Sequence, residues 1–459
     1  MQTTPPSPAA PPTPTDHTGW RHIWRLAWPI MLSNITIPLV GAVDVAMMGR
    51  LDDPVFIGGV GLGMLVFNFI YFGLGFLRMG TTGLVAQNFG RNADEMTAHI
   101  LLRGISLAFG LGVLFILARP VVINIAITGF SASDMAESLM ADYISIRLFA
   151  VPAALANMVL LGGLYGRQQM RLGMALLFLV NGLNLLLDLL FVLGLDMAVD
   201  GVALASVLAQ WGGFGFMVWR IDRMWPGQLR ALFRPAAGRR LPTWLDPAAY
   251  RQFFRLGRDI FIRTILLIGC EALLLNQAAK LDDIALALCQ IMLSLFGIIA
   301  FAIDGFAHAA EALVGEAVGR RDPAMLDQVM RRSNLLAAFM AALISALLWI
   351  GETPIMALMT AQQALSDAMR PFWAWVTLLP LASFMAFQMD GVFVGATCGR
   401  PMRNAMILAS GGFAAMLALQ PFGLAGLMAS FVAYLALRGF SLWLLLHHVR
   451  AQAVPPAKS

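Results

Sequence analysis

The chain has 459 residues, of which 59% are apolar and only 12% charged, against about 25% charged in an ordinary soluble domain. A soluble protein of this length would divide into about three domains with polar surfaces, and the charge needed to coat them is missing. The apolar runs are long and do not alternate with polar residues, which excludes a membrane barrel and leaves an all-α integral membrane protein. The formal charge of +5 is read as loop charge at a membrane face and not as a nucleic-acid surface.

Residues 1–19 are rich in proline and lack a basic stretch before an apolar run, so a disordered tail is expected there and not a signal peptide. Apolar runs then fall near 22–48, 55–80, 97–119, 139–165, 171–194 and 200–220, and make up an N-lobe over 20–221. The polar stretch 222–250, with Arg223, Arg230, Arg234, Arg239 and Arg240, reads as a cytoplasmic linker. A second set of runs near 252–279, 284–309, 328–350, 371–397, 402–420 and 423–447 makes up a C-lobe over 251–449, followed by a tail over 450–459. The expected fold is therefore twelve transmembrane helices in two six-helix bundles.

The two halves repeat. Leu51-Asp52-Asp53 matches Leu281-Asp282-Asp283 at an offset of 230, Val85–Arg91 matches Val314–Arg320 at 229, and Met170-Arg171 matches Met402-Arg403 at 232. An even number of spans per half makes this a parallel repeat, with a pseudo-two-fold along the membrane normal. With the N-terminus placed in the cytoplasm, inside segments carry 24 of the 31 Lys and Arg residues, and outside segments carry Arg50, Arg119, Arg147, Lys280 and Arg370. Arg263 and Arg438 fall within spans. Both termini are thus expected to be cytoplasmic.

A charged side chain inside a bilayer is costly and marks a functional hypothesis. Span 1 carries Asp44 and span 5 carries Asp188. Spacing from Arg50, Asp196 and Asp200 puts Asp44, Asp188 and Ser206 at one depth, about 9–12 Å below the outer boundary. Asn181, Asn184 and Asp188 share one face of span 5. Carboxylate, amide and hydroxyl oxygens suit a proton or a hard cation, whereas Asn181 and Ser206 also suit plain interhelical hydrogen bonding. In the second half Glu271, Asp304, Glu311 and Asp390 lie within spans, with Arg263 available to neutralise one of them. For Asp304, His308 and Glu311 an ion-pair network and a coupling role are both open. Gly58–Gly63 reads as close helix packing, and Cys270, Cys289 and Cys398 read as core residues. There is no G-x-x-x-x-G-K-[ST] and no H-E-x-x-H, so neither an ATP-driven pump nor an enzyme is expected.

Pro29 through Val43-Asp44-Val-Ala-Met-Met-Gly49 and Val85-Ala-Gln-Asn-Phe-Gly90 resemble the multidrug and toxic compound extrusion (MATE) family. Asp259–Thr264, Asp304–Ala312, Asp390–Ala396 and Met402-Arg403-Asn404 look like its DinF branch. The resemblance implies an efflux antiporter in the bacterial cytoplasmic membrane. It would export cationic or amphipathic organic compounds against H⁺ or Na⁺, without a cofactor and as a monomer. It also implies a cation site of Asp44, Asn184, Asp188 and Ser206, with transient Na⁺ at Asp44, Asn184 and Asp188 and no tightly bound metal. Ser206 stands where relatives often have Thr, and Val45 where they often have Thr. Asn181, Glu271, Asp304 and Asp390 are secondary candidates. A lipid-linked oligosaccharide flippase shares the twelve-helix plan and is the alternative; the acidic bias within the spans favours cationic cargo.

Overall fold

The computed structural model describes residues 18–48, 55–130, 132–224, 247–419 and 423–454. Among the described residues all regular structure is helical. The first half contains α1 (Trp20–Met48), α2 (Val55–Gly90), α3 (Asp94–Leu117), α4 (Asp134–Gly166), α5 (Met170–Gly194) and α6 (Val199–Met224). The second contains α7 (Pro247–Ala279), α8 (Asp283–Arg320), α9 (Pro323–Ile350), α10 (Gln363–Gly395), α11 (Gly399–Ala418) and α12 (Gly423–Ala453). Nine of these twelve are both long and apolar enough to cross a bilayer. The other three, α1, α7 and α11, have 29, 33 and 20 residues. Most of the expected linker, residues 225–246, lies outside the described residues.

The halves match element by element. Each places a short helix between its third and fourth spans, Arg119–Gly129 in one and Glu352–Met359 in the other. Four turns end helices in the same way. Asn92, Gln168, Arg321 and Thr397 have φ of 55°, 60°, 57° and 55°. After each, the next amide closes the helix by donating to the carbonyl five residues back, as Ala93 does to Asn88 (2.9 Å) and Asp322 to Ala317 (3.0 Å). This is the Schellman closure, normally built on glycine. Asn92 pairs with Arg321, and Gln168 with Thr397, at the same offset of 229 residues.

Two helices run further than their apolar stretches. The run over 55–80 continues to Gly90 and the run over 284–309 continues to Arg320. At 1.5 Å per residue α8 is roughly 57 Å long, almost twice the hydrocarbon thickness. Protein covers the additional turns, since every residue from Ala309 to Gly319 is buried. The repeated motifs Val85–Arg91 and Val314–Arg320 pack on each other there. A methyl group on Gly90 would overlap the Glu316 carbonyl, and one on Gly319 would overlap the Gln87 carbonyl. These two contacts exchange under the 229-residue offset, so the pseudo-two-fold passes between them. The same device joins helices within each half. Gly162 and Gly166 seat α4 on the Arg78 and Thr82 carbonyls, and Gly391 and Gly395 seat α10 on those of Ala307 and Glu311. In the glycine-rich start of α2, Gly59 and Gly63 press on Leu139 and Tyr143 of α4, while Gly58 and Gly61 touch nothing.

The halves share one core at the end of the molecule where Thr18 and Arg450 lie. It joins Ile23, Leu26 and Ile30 of α1 and Tyr165 of α4 to Phe306–Val318, Met389–Ala396 and Val449. Beyond that level the cores separate. One runs from Val60 to Val202 and takes in Phe253, Leu256 and Ile260 from the first turns of α7. The other lies wholly between Cys270 and Leu435. The cross-half hydrogen bond furthest along α1 is from Asn34 Nδ2 to the Phe301 carbonyl (3.3 Å). Residues near the start and the finish of the described chain dock on the first turns of α9. Thr18 bonds Gln328 (3.0 Å) and Arg332 (2.9 Å), and Arg450 bonds Asp327 (3.1 Å).

Candidate functional site

Three helices of the first half bring polar side chains together. The face of α5 that carries Asn181, Asn184 and Asp188 turns inward between α1 and α6, because the rest of the helix is leucine-rich and faces outward. Asn181 Nδ2 donates to Thr36 Oγ1 on α1 (2.6 Å), and Asn184 Nδ2 donates to Ser206 Oγ on α6 (3.4 Å). Asp188 is fully buried, and Asn184 and Ser206 are each 5% exposed. Directly after Asp188 the helix widens into a π-helical turn over Leu189–Gly194. Such turns leave backbone carbonyls with looser partners and recur at functional positions.

The side chain of Asp44 lies outside the described residues, but its place on α1 is set. Met170 at the start of α5 and Ile23 at the start of α1 share one core, so the two helices run the same way. Asp44 is eight residues beyond Thr36, and Asp188 is seven beyond Asn181. The Thr36–Asn181 contact therefore sets the backbone of Asp44 level with Asp188 to within about one residue rise. Carboxylate, amide and hydroxyl donors from α5 and α6 converge there, with a further carboxylate-bearing position on α1. This is an oxygen donor set for a proton or a hard monovalent cation. Among the described residues no group of three His, Cys, Asp or Glu stands close enough to hold a metal tightly.

The secondary candidates divide differently. Asp390 on α10 accepts from Arg263 on α7 and Arg438 on α12, and all three side chains are buried. Arg263 neutralises Asp390, and Arg438 joins it, so three helices meet in one ionic knot. Glu271 on α7 and Asp304 on α8 are half-buried. Glu311 is met by His308 Nδ1 (3.1 Å) and by Arg78 Nη1 of α2 (3.6 Å), across the boundary between the halves. The Arg78 guanidinium also lies 6.0 Å from the Tyr165 ring.

Sequence reasoning missed Arg78, because span 2 was expected to end two residues later and the arginine looked like loop charge. It also missed the pair that crosses the pseudo-two-fold next to this cluster. Gln87 Nε2 donates to Thr397 Oγ1 (3.1 Å), and in the symmetry-related pair Gln168, the counterpart of Thr397, donates to Glu316, the counterpart of Gln87. A signal was present: Gln87 and Glu316 occupy the same place in the repeated motif.

Comparison with known proteins gives the same picture. The MatE family model matches residues 29–190 and 260–419. The DNA damage-inducible protein F of Escherichia coli strain K12 is 36% identical over 422 residues, 92% of this chain and 90% of that protein. A probable multidrug resistance protein NorM of Aromatoleum aromaticum is 24% identical over 356 residues, 74% of this chain and 73% of that protein. A crystal structure of MATE in the bent conformation has a TM-score of 0.83 at 20% identity, covering 95% of this chain and 97% of that one. This last likeness is one of fold.

Proposed function

This chain belongs to the MATE family of membrane transporters, and on that premise we propose that it is a multidrug efflux antiporter working by alternating access. The observation that carries the reading is the buried set Asn184, Asp188 and Ser206, tied to α1 through Asn181 and Thr36. It lies in one half of a molecule whose two halves share a core at one end only.

In the proposed cycle Asp44 and Asp188 take up the driving cation, H⁺ or Na⁺, from the side away from the termini. Neutralising these carboxylates removes their charge and their need for water. The helices then repack, and a cationic or amphipathic compound held in the cleft is expelled. Coupling requires that cation and cargo prefer different states of the bundle. Residues 20–221 and 251–449 act as the two lobes, with 222–250 as the linker, and one chain suffices for the whole path. We place the protein in the bacterial cytoplasmic membrane with both termini inside, which makes the present arrangement outward-facing. The named relatives are transporters of this family and give the flippase reading no support.

Cation-dependent ethidium transport by inverted vesicles, in which outward efflux is read as accumulation in the lumen, tests this. Asp44→Asn and Asp188→Asn are each expected to lose gradient-driven efflux while inserting normally. Collapse of ΔpH abolishes wild-type efflux under H⁺ coupling, and removal of Na⁺ does so under Na⁺ coupling. Full gradient-driven efflux in both variants would overturn the assignment of the site.

A further inference from the structure

We propose that the pocket between the first turns of α1, the α4–α5 turn and the end of α6 binds the phosphate headgroup of an anionic phospholipid. The pocket has a volume of about 470 Å³ and is lined by Arg25, Arg171 and Arg220 together with His22, Gln168 and Gln169. No acidic residue lines it. Among the described residues Arg25, Arg171 and Arg220 make no ion pair and no side-chain hydrogen bond.

Three guanidinium groups around one concavity repel one another, and a shared anion relieves that repulsion. The second half of the molecule provides an internal control. Met402-Arg403 is the counterpart of Met170-Arg171. Arg403 is held by the carboxylate of Asp259 at 2.8 Å, and Arg258 meets the same carboxylate at 3.1 Å. The residue 230 positions before Asp259 is Pro29. One half thus supplies its own counter-ion to this arginine, and the other half has lost it.

Position selects a lipid as the source of the anion. The pocket opens where α1 and α6 leave the apolar layer. Trp24 and Trp219 are 44% and 48% exposed on the flanking turns, and the Arg223 guanidinium stacks over Trp219 at 4.7 Å. Exposed tryptophan marks the membrane–water boundary, and basic pockets between helices at that level take phospholipid headgroups. Arginine binds a phosphate through paired N–H donors. The inference requires only that the chain spans a bilayer; it holds whichever cargo is transported and whichever face the termini occupy.

The test uses purified, delipidated protein. Binding of phosphatidylglycerol, phosphatidylcholine and glycerol 3-phosphate is measured by native mass spectrometry and by the shift in melting temperature. Phosphatidylglycerol is expected to bind selectively and to raise the melting temperature. Its affinity should fall about fivefold for each of Arg25→Gln, Arg171→Gln and Arg220→Gln, and Arg400→Gln, an exposed arginine on α11, should leave it unchanged. If Arg25→Gln or Arg220→Gln does not fold, the exposed Arg171→Gln carries the test with the same fivefold expectation. Equal phosphatidylglycerol binding by variant and wild type would overturn the proposal. So would equal binding of phosphatidylcholine, or saturation by glycerol 3-phosphate with the same sensitivity to the substitutions, which would make this a soluble-anion site.

Discussion

Asp390 shows how far a residue's type leads and where it stops. A lone carboxylate in an apolar run signals either a coupling group or half of an ion pair, and spacing along one helix cannot separate the two. The deciding partners, Arg263 and Arg438, sit 127 and 48 residues away in sequence. Removing one member of a buried ionic cluster leaves the others charged and unpaired, which costs about 3–5 kcal/mol. Asp390→Ala is therefore expected to lower the melting temperature of the detergent-solubilised protein sharply. Asp390→Asn, which keeps one acceptor oxygen, should do so less. In contrast, the meeting of Asn184 with Ser206 was legible in advance, because residue spacing along one helix and a common depth on two are local quantities.

At the scale of elements, the helices themselves were legible from apolar run length, but the ends of α2 and α8 were not. Hydropathy reports contact with lipid, and the last turns of these two helices carry polar side chains, Gln87 and Asn88 in one and Glu311 and Glu316 in the other, yet are buried against protein. What permits that burial is a pair of glycines where two backbones meet. Adding a methyl group at such a contact forces a backbone shift, and overpacking of this kind costs about 1–3 kcal/mol. Gly90→Ala and Gly319→Ala are expected to destabilise by similar amounts, since their contacts are pseudo-symmetric. Gly58→Ala, in open space on α2, should be neutral or slightly stabilising, as replacing a mid-helix glycine usually is. Thermal melting of the three variants side by side checks this. Equal losses at all three positions would mean that the close approach of α2 to α8 is not what the glycines serve.

For the whole molecule, the repeated motifs predicted the two-fold relation. They did not predict that the motifs would be the surface through which the halves meet. The Gln168–Glu316 contact lies on that surface. Alternating access requires it to part once in every cycle. With Gln168→Cys and Glu316→Cys joined by a reducible bifunctional methanethiosulfonate, efflux should stop, and it should return when the link is reduced. The three native cysteines are buried, so they add little background. Undiminished efflux in the linked protein would show that the halves stay joined at this end throughout transport.

The docking of Thr18 and Arg450 on α9 has a consequence for connectivity. Asp327 and Arg332 are five residues apart, which on a helix is about 8 Å. Arg450 is anchored at one of them and Thr18 at the other, so these two residues, far apart in sequence, are held close together in space. A circularly permuted chain, opened within 225–246 and joined from the last residues to Thr18 by a short flexible bridge, should reach the same fold. Either half could have come first.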